Sequence, residues 1–273
     1  MLQAADVRFS YDGAARPVLR GVSLTVPAGG FVGLLGPNGS GKTTLLRCLA
    51  GTLRPTGGRV TLDGVDLTSV TRAAVARRMA VVPQETRLAF DFSVLEVAVM
   101  GRYPHLGAFE IEGPADLALA REALAATGTA HLEHRQFTTL SGGEKQRVII
   151  AAALAQIGGA RAAAGAILLL DEPTAALDLA YQLEVAALLR ELQRRTPISI
   201  VVSTHDLNFA AGLCRTLVLL RDGEVLADGP TDDVLTPARI QALYDVDADV
   251  QRHEGTGHLV VVPIRRARDG RPA

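Results

Sequence analysis

The stretch GPNGSGKTT, Gly36 to Thr44, fits the pattern G-x-x-x-x-G-K-[ST], and each residue type in it has a use toward phosphate. The backbone of Gly36, Pro37, Asn38, Gly39, Ser40 and Gly41 can fold into an anion nest, because glycine lets amides crowd around a charged oxygen. Lys42 would place a point charge on the β- and γ-phosphates. The Thr43 hydroxyl can ligate Mg²⁺, and Thr44 closes the cradle. A nucleotide with Mg²⁺ is the ligand that these residues predict.

A second group follows a short apolar run in AILLLDEPT, where Asp171 and Glu172 end a predicted strand. Successive strand residues point to opposite sides, so the two carboxylates can divide their work. Asp171 would hold Mg²⁺ through its water shell, and Glu172 would be the general base or water-positioning group for attack on the γ-phosphate. His205, which follows the strand ISIVVST, is either an ordinary polar cap or a third strand-end group that contacts the γ-phosphate and orients Glu172. Gln84, in AVVPQE, is either a loop amide or a reach toward the metal and the attacking water. Tyr11, in FSYDGAA, either packs in the core or stacks its π face on adenine.

The third group is LSGGEKQRV, Leu140 to Val148. Ser141 and Glu144 have capping-box spacing, which satisfies two amide donors at a helix start. That leaves Gly142 and Gly143 unexplained, since glycine in a first turn costs up to about 1 kcal/mol relative to alanine. Bare glycine amides at the positive end of a helix dipole let an anion approach closely. Ser141, Gly142 and Gly143 therefore point to a phosphate at this helix start, and the residues alone leave open whose phosphate it is.

These groups need a scaffold that gathers them. Alternation in VLRGVSLTV (Val18 to Val26) predicts a strand, FVGLL (Phe31 to Leu35) a buried strand, and KTTLLRCLAG a helix closed by Gly51. Residues from about 88 to 160 read as helical: one helix ends at Gly128 and another runs from Ser141 to about Gln156. Strands at 166–170, 199–203 and 216–220 then alternate with helical patterns at 178–195 and 207–214. This is an α/β pattern with a largely parallel core sheet.

Composition narrows the classes. The 273 residues, 48% of them hydrophobic, suffice for one large domain or a domain with a subdomain. A net charge of -1 gives no electrostatic reason to expect a nucleic-acid partner. Arg265, Arg266, Arg268 and Arg271 read as a solvated basic tail. Apolar runs fall short of the roughly 20 residues of a membrane helix, and the N-terminus has neither the basic nor the apolar region of a secretory signal, so a cytosolic chain is expected. Cys48 and Cys214 sit in apolar helical contexts and read as buried free thiols.

Taken in order, Tyr11, GPNGSGKTT, Gln84, LSGGEKQ, ILLLDEPT, AALD (Ala175 to Asp178) and His205 resemble the motifs of the ATP-binding cassette ATPases, the nucleotide-binding subunits of ABC transporters. The resemblance covers about Leu2 to Val250, and LSGGEKQ is its specific element, because P-loops occur in many NTPases. It implies ATP and Mg²⁺ as ligands, with Gln84 beside Thr43 and Asp171 at the metal and Asp178 at the nucleotide. It also implies a head-to-tail homodimer, in which Ser141 to Gly143 of one chain close on the γ-phosphate held by the other chain's P-loop. The fold it implies is a P-loop NTPase core with N-terminal antiparallel strands and an inserted helical subdomain. An ATPase domain over 1–250 and a C-terminal strand and tail over 251–273 follow.

One cassette without membrane spans implies separate permease subunits, indirectly a substrate-binding protein, and a peripheral place on the cytoplasmic face of the inner membrane. MGRYPHLG (Met100 to Gly107), STHDLNFAAGLC and DVLTPARIQALYDVDADV look like the ATPases of importers for ferric siderophores, haem and cobalamin, with Arg102 to Gly107 at the permease contact or in an ordinary helix and loop. Two departures stand out: Ala152 where the family often has Arg, and a lengthened link from Ile157 to Ala166. The rivals are a cassette protein acting on DNA or ribosomes and a small-molecule P-loop kinase. Near-neutral charge and the absence of a long heptad insertion oppose the first, and the Ser141 signature opposes the second.

Overall fold

The computed structural model describes residues 1–13, 16–86, 90–158, 165–175 and 177–267. In chain order the first elements are β1 (Leu2–Phe9), β2 (Leu19–Val26), β3 (Phe31–Leu35), α1 (Lys42–Leu49), β4 (Gly57–Leu62), β5 (Val65–Asp66), α2 (Arg72–Ala76) and β6 (Met79–Val82). Helices α3 (Val94–Met100), α4 (Pro114–Ala126) and α5 (Gly142–Gln156) come next. The chain then forms β7 (Ile167–Asp171), α6 (Leu179–Arg195), β8 (Ser199–Thr204), α7 (Leu207–Leu213), β9 (Thr216–Arg221) and β10 (Glu224–Pro230). It closes with α8 (Thr231–Val234), α9 (Pro237–Tyr244), β11 (Val246–Arg252) and β12 (Leu259–Arg266).

The central sheet has the order β10-β9-β3-β8-β7-β6, with β10 alone antiparallel to its neighbour. Strand β7 shows why it must be buried on both faces. Ile167 and Leu169 join the apolar cluster shared with α1 and the antiparallel sheet β2-β1-β4-β5, whereas Leu168 and Leu170 join the cluster shared with α3 to α6. Alternation with apolar residues on both faces is what a sheet covered on both sides requires. The α/β architecture with N-terminal antiparallel strands is as the sequence predicts.

The order of strands is what gathers the chemistry. Strands β3, β8, β7 and β6 are consecutive parallel neighbours, so the segments after their C-terminal ends emerge side by side at one edge, where open α/β sheets bind ligands. Those segments carry the P-loop, His205, Glu172 and Gln84.

The C-terminal region is a hairpin that carries Arg265 and Arg266 in its second strand and not in a solvated tail. Val246–Arg252 is already a strand and pairs with β12 as an antiparallel hairpin, and Arg265 bonds Asp247 across it at 2.8 Å, with Arg266 opposite Val246. Val246, Ala248 and Val250 alternate with polar residues along VDADVQR, the period of a half-buried strand, a signal that the sequence reading above leaves unused. Arg268 and Arg271, most of the link from Ile157 to Ala166, and Leu88 and Ala160 at the bounds of the helical region lie outside the described residues. Cys48 and Cys214 are free and buried, and burial pushes the Cys48 thiol up to about 11.

Candidate functional site

Helix α1 starts directly after Gly41, its N-cap, whose φ of 104° is open to glycine without steric cost, and no side chain among the described residues caps it. The first intrahelical acceptor is Gly41, bonded by Leu45. The amides of Lys42, Thr43 and Thr44 therefore sit in an uncapped first turn, which is a ready anion site. They line a cavity of about 610 Å³ together with Asn38, Gly39, Gly41, Gln84, Glu172 and His205. Gly36 and Pro37 serve from behind: their carbonyls accept from Lys42 Nζ at 2.8 and 3.2 Å. Ser40 is buried, and its hydroxyl has no partner among the described residues. Tyr11 borders the same helix, its hydroxyl 3.3 Å from Thr44 Oγ1 and its ring edge-on to Phe9.

Lys42 is 5% exposed, and a buried ammonium is tolerated only when its donors are filled. The third contact beside the two carbonyls is Glu172 Oε1 at 3.1 Å. The other oxygen, Oε2, meets His205 Nδ1 at 2.9 Å. Glu172 thus bridges the P-loop lysine and the histidine from the next strand. Its backbone has φ 45°, a left-handed conformation that costs a non-glycine residue roughly 1–2 kcal/mol. The Glu172 amide is held there by Ser203, donating to its carbonyl at 3.1 Å and its hydroxyl at 3.0 Å. Asp171 is buried and accepts from the Ser203 hydroxyl at 2.6 Å.

Hydroxyls, a carboxylate and an amide carbonyl are hard oxygen donors of the kind Mg²⁺ selects. Thr43 and Gln84 line the cavity beside an uncapped anion site and a buried lysine, and Asp171, which does not line it, ends β7 next to Glu172, so the donor types present fit a magnesium nucleotide.

The signature residues lie elsewhere. Ser141, Gly142, Gly143 and Asp178 do not line this cavity. Ser141 and Glu144 form the reciprocal capping box, at 3.3 and 2.8 Å, and the Ser141 amide holds the Glu144 carboxyl below its ordinary range. Asp178 caps α6 by accepting from the Tyr181 amide at 3.1 Å. The glycines find a reason inside their own chain: a Cβ on Gly143 would lie 2.2 Å from Tyr181 Cδ1, and one on Gly142 would lie 3.4 Å from Leu177. The expectation that nothing in this chain accounts for them is corrected for Gly143.

Arg102 does not face outward with the MGRYPHLG surface. It is buried, bonded to Asp116 at 3.0 Å and to the Ala155 carbonyl at 2.7 Å, and so caps the negative end of α5. His105 likewise bonds the Gln156 carbonyl at 2.7 Å. Exposed in this region are Tyr103, Phe109 and Ile111. Two residues at the site were missed in the sequence. Ser203 is a hydroxyl inside an apolar strand, a buried polar group that asks for partners. Tyr244 donates to the His205 carbonyl at 3.3 Å, and burial, then the charges of Glu172 and Asp206, hold its phenol well above the usual range.

Comparison with known proteins gives the same picture. The ABC transporter family model matches residues 19–175. The hemin import ATP-binding protein of Bordetella avium is 43% identical over 97% of this chain and 99% of its own. A cobalamin import ATP-binding protein of Halobacterium salinarum is 41% identical over 92% of this chain and 61% of its own. Among solved structures, a metal-chelate type ABC transporter in an inward-facing conformation has a TM-score of 0.81 at 30% identity, covering 96% of both chains. A bacterial ABC transporter cassette solved as a dimer has a TM-score of 0.71 at 29% identity, covering 85% of this chain and 99% of its own.

Proposed function

The chain belongs to the ABC transporter family and is an ATPase, and from that premise we propose that it energises uptake of a metal chelate through separate permease subunits. Hemin is the cargo class that the full-length likeness supports best; no relative described above carries the siderophore reading. The observation that carries the mechanism is the division of the phosphate-binding parts. Lys42 and Glu172 face each other in one cavity, whereas Ser141 to Gly143 lie outside it.

In this reading Lys42 and the first-turn amides of α1 hold the β- and γ-phosphates of ATP, and Tyr11 stacks on the adenine. Thr43, Asp171 and Gln84 would hold Mg²⁺, which when bound neutralises charge on the β- and γ-oxygens. Glu172 orients the attacking water and takes its proton, while His205 steers the Glu172 carboxylate through Nδ1. For Glu172 to work, Lys42 must exchange it for phosphate oxygen, so substrate binding itself frees the base. Ser141, Gly142 and Gly143, with Asp178 nearby, come from a second copy packed head-to-tail. Leu179 and Leu183, at the start of α6 beside the signature, are exposed apolar residues suited to that contact.

The permease would meet the helical region, where Tyr103 and neighbouring apolar side chains line a shallow cavity of about 350 Å³. No helix among the described residues is long and apolar enough to cross a membrane, which suits a peripheral subunit on the cytoplasmic face. The DNA, ribosome and kinase alternatives are not favoured, since the full-length relatives are import subunits.

The deciding experiment is growth on hemin as sole iron source after deletion of the gene. Growth should be lost, restored by the intact chain, and not restored by Lys42→Ala. Undiminished growth on hemin refutes the hemin reading, and loss of cobalamin-dependent growth instead would move the cargo to that class.

A further inference from the structure

Glu172 and Asp171 have different tasks in the proposed mechanism, yet one hydroxyl touches both. Ser203 is fully buried on β8, in register with Asp171 of β7 on one side and Leu34 of β3 on the other. A serine hydroxyl has one proton to give and two lone pairs to accept with. The Glu172 amide can only donate, and it reaches Ser203 Oγ at 3.0 Å. The proton of Ser203 must therefore go to Asp171 Oδ1, 2.6 Å away, a length typical of O–H donated to an ionised carboxylate.

This arrangement does two things at once. It occupies one oxygen of Asp171 and so sets the rotation of its carboxylate; among the described residues the other oxygen, Oδ2, has no such partner. It also ties down the amide of Glu172 at the residue whose φ of 45° aims the side chain back at Lys42 and His205. Thr204, the next residue, faces away and bonds the Asp206 amide at 3.0 Å, so it does not duplicate the role.

We propose that Ser203 is a positioning residue for ATP hydrolysis, its single hydroxyl fixing the direction of the metal-side carboxylate Asp171 and the left-handed backbone of the base Glu172 together. This rests on the roles given to those two residues above. Removing the hydroxyl should then loosen metal contact and base geometry in one step while leaving the P-loop grip on ATP intact.

The test compares full-length Ser203→Ala, Ser203→Thr and Ser203→Cys with the parent. Loss of an outer partner of a metal-binding group typically costs about 10–100-fold in affinity or activity. Ser203→Ala should lower kcat by about that factor with little change in KM for ATP. It should also weaken Mn²⁺ binding to the ADP-loaded chain, read by electron paramagnetic resonance, by roughly tenfold or more. Ser203→Thr keeps the hydroxyl and should recover most of both losses. A folded Ser203→Ala with kcat and Mn²⁺ affinity both within about twofold of the parent overturns the inference, being far below that range. Equal losses in the Ala and Thr variants overturn it too, since packing would then be responsible. If Ser203→Ala does not fold, Ser203→Cys decides, because it keeps the volume with a much weaker donor: the joint loss supports the role, and parental values overturn it. Glu172→Gln, run alongside, separates the two levels. Normal turnover there removes the underlying reading of the site, whereas a silent Ser203→Ala beside an inactive Glu172→Gln removes only this inference.

Discussion

Gly143→Ala distinguishes what the signature glycine does for its own chain from what it does for a partner. The added Cβ would lie 2.2 Å from Cδ1, 2.6 Å from Cγ and 2.8 Å from Cε1 of Tyr181. Carbon atoms in contact prefer about 3.5–4.0 Å, so the ring or the helix must retreat by about 1.3 Å. The ring has little freedom, because α6 is capped beneath it by Asp178 and tied to α5 by the Arg147–Glu184 ion pair at 3.0 Å. Overpacking of this kind costs about 1–3 kcal/mol, against a helix-propensity gain of up to about 1 kcal/mol for alanine over glycine. A net loss of about 1–2 kcal/mol is expected, read as a lower melting temperature of the nucleotide-free chain by roughly 3–6 °C. In a Tyr181→Ala background the ring is gone, and the same Gly143→Ala change should be neutral or stabilising, which gives a coupling energy of at least about 1 kcal/mol. An equal loss in both backgrounds refutes the packing account. ATPase activity adds a second arm: if activity still falls in the double variant once stability has recovered, the glycine also answers to a phosphate brought by the second copy.

Glu172→Gln should keep ATP binding and lower hydrolysis by about two to four decades, with ATP-bound dimer accumulating on size-exclusion chromatography; parental turnover refutes the role of Glu172. Lys42→Ala leaves a buried carboxylate without its cation, a change that costs about 3–5 kcal/mol for buried pairs, so thermal stability and ATP affinity should fall together, and unchanged ATP affinity by calorimetry counts against the P-loop reading. In a mixed dimer of Ser141→Arg with Lys42→Ala, both defects fall on one composite site and the opposite site stays whole, so one bound nucleotide per dimer is expected; none bound in an isolated Ser141→Arg chain refutes the shared site. The hydrogen bond from Arg102 holds the Asp116 carboxyl below its ordinary range, so its stabilisation is present above the unfolded value of about 3.9 and is lost as pH falls through the lower folded value. Below about pH 4 the melting temperature of the parent should therefore drop more steeply than that of Asp116→Asn, and parallel curves refute the linkage.

What could be read in the sequence is what its local order determines. GPNGSGKTT sits between a strand and the helix that uses its lysine, so its role needs no distant partner. The Ser141–Glu144 box is equally local, three residues apart on one turn. Glu172 could be placed at a strand end, but its bridge between Lys42 and His205 joins residues that no periodicity brings together. The reason for Gly143 lies in the close approach of Tyr181 on α6 to α5, and the partners of Ser203 lie in the register between β7 and β8, Asp171 being 32 positions away in sequence. VDADVQR does carry the period-2 alternation of a strand, but which strand it pairs with, including Asp247 to Arg265, is not a local property.

Strand order explains why these non-local contacts converge. With β8 inserted between β3 and β7, the residue two places before His205 must face the end of β7, so a hydroxyl there can serve both the Asp171 carboxylate and the Glu172 amide, and one at the neighbouring position cannot. The same order sets Lys42 across from Glu172, because the P-loop leaves β3, which only β8 separates from β7. A change that slipped β8 by one residue would turn Ser203 to the opposite face and bring Val202 or Thr204 to its place. Such a slip would cost the site its two aligned carboxylates while leaving every sequence motif intact.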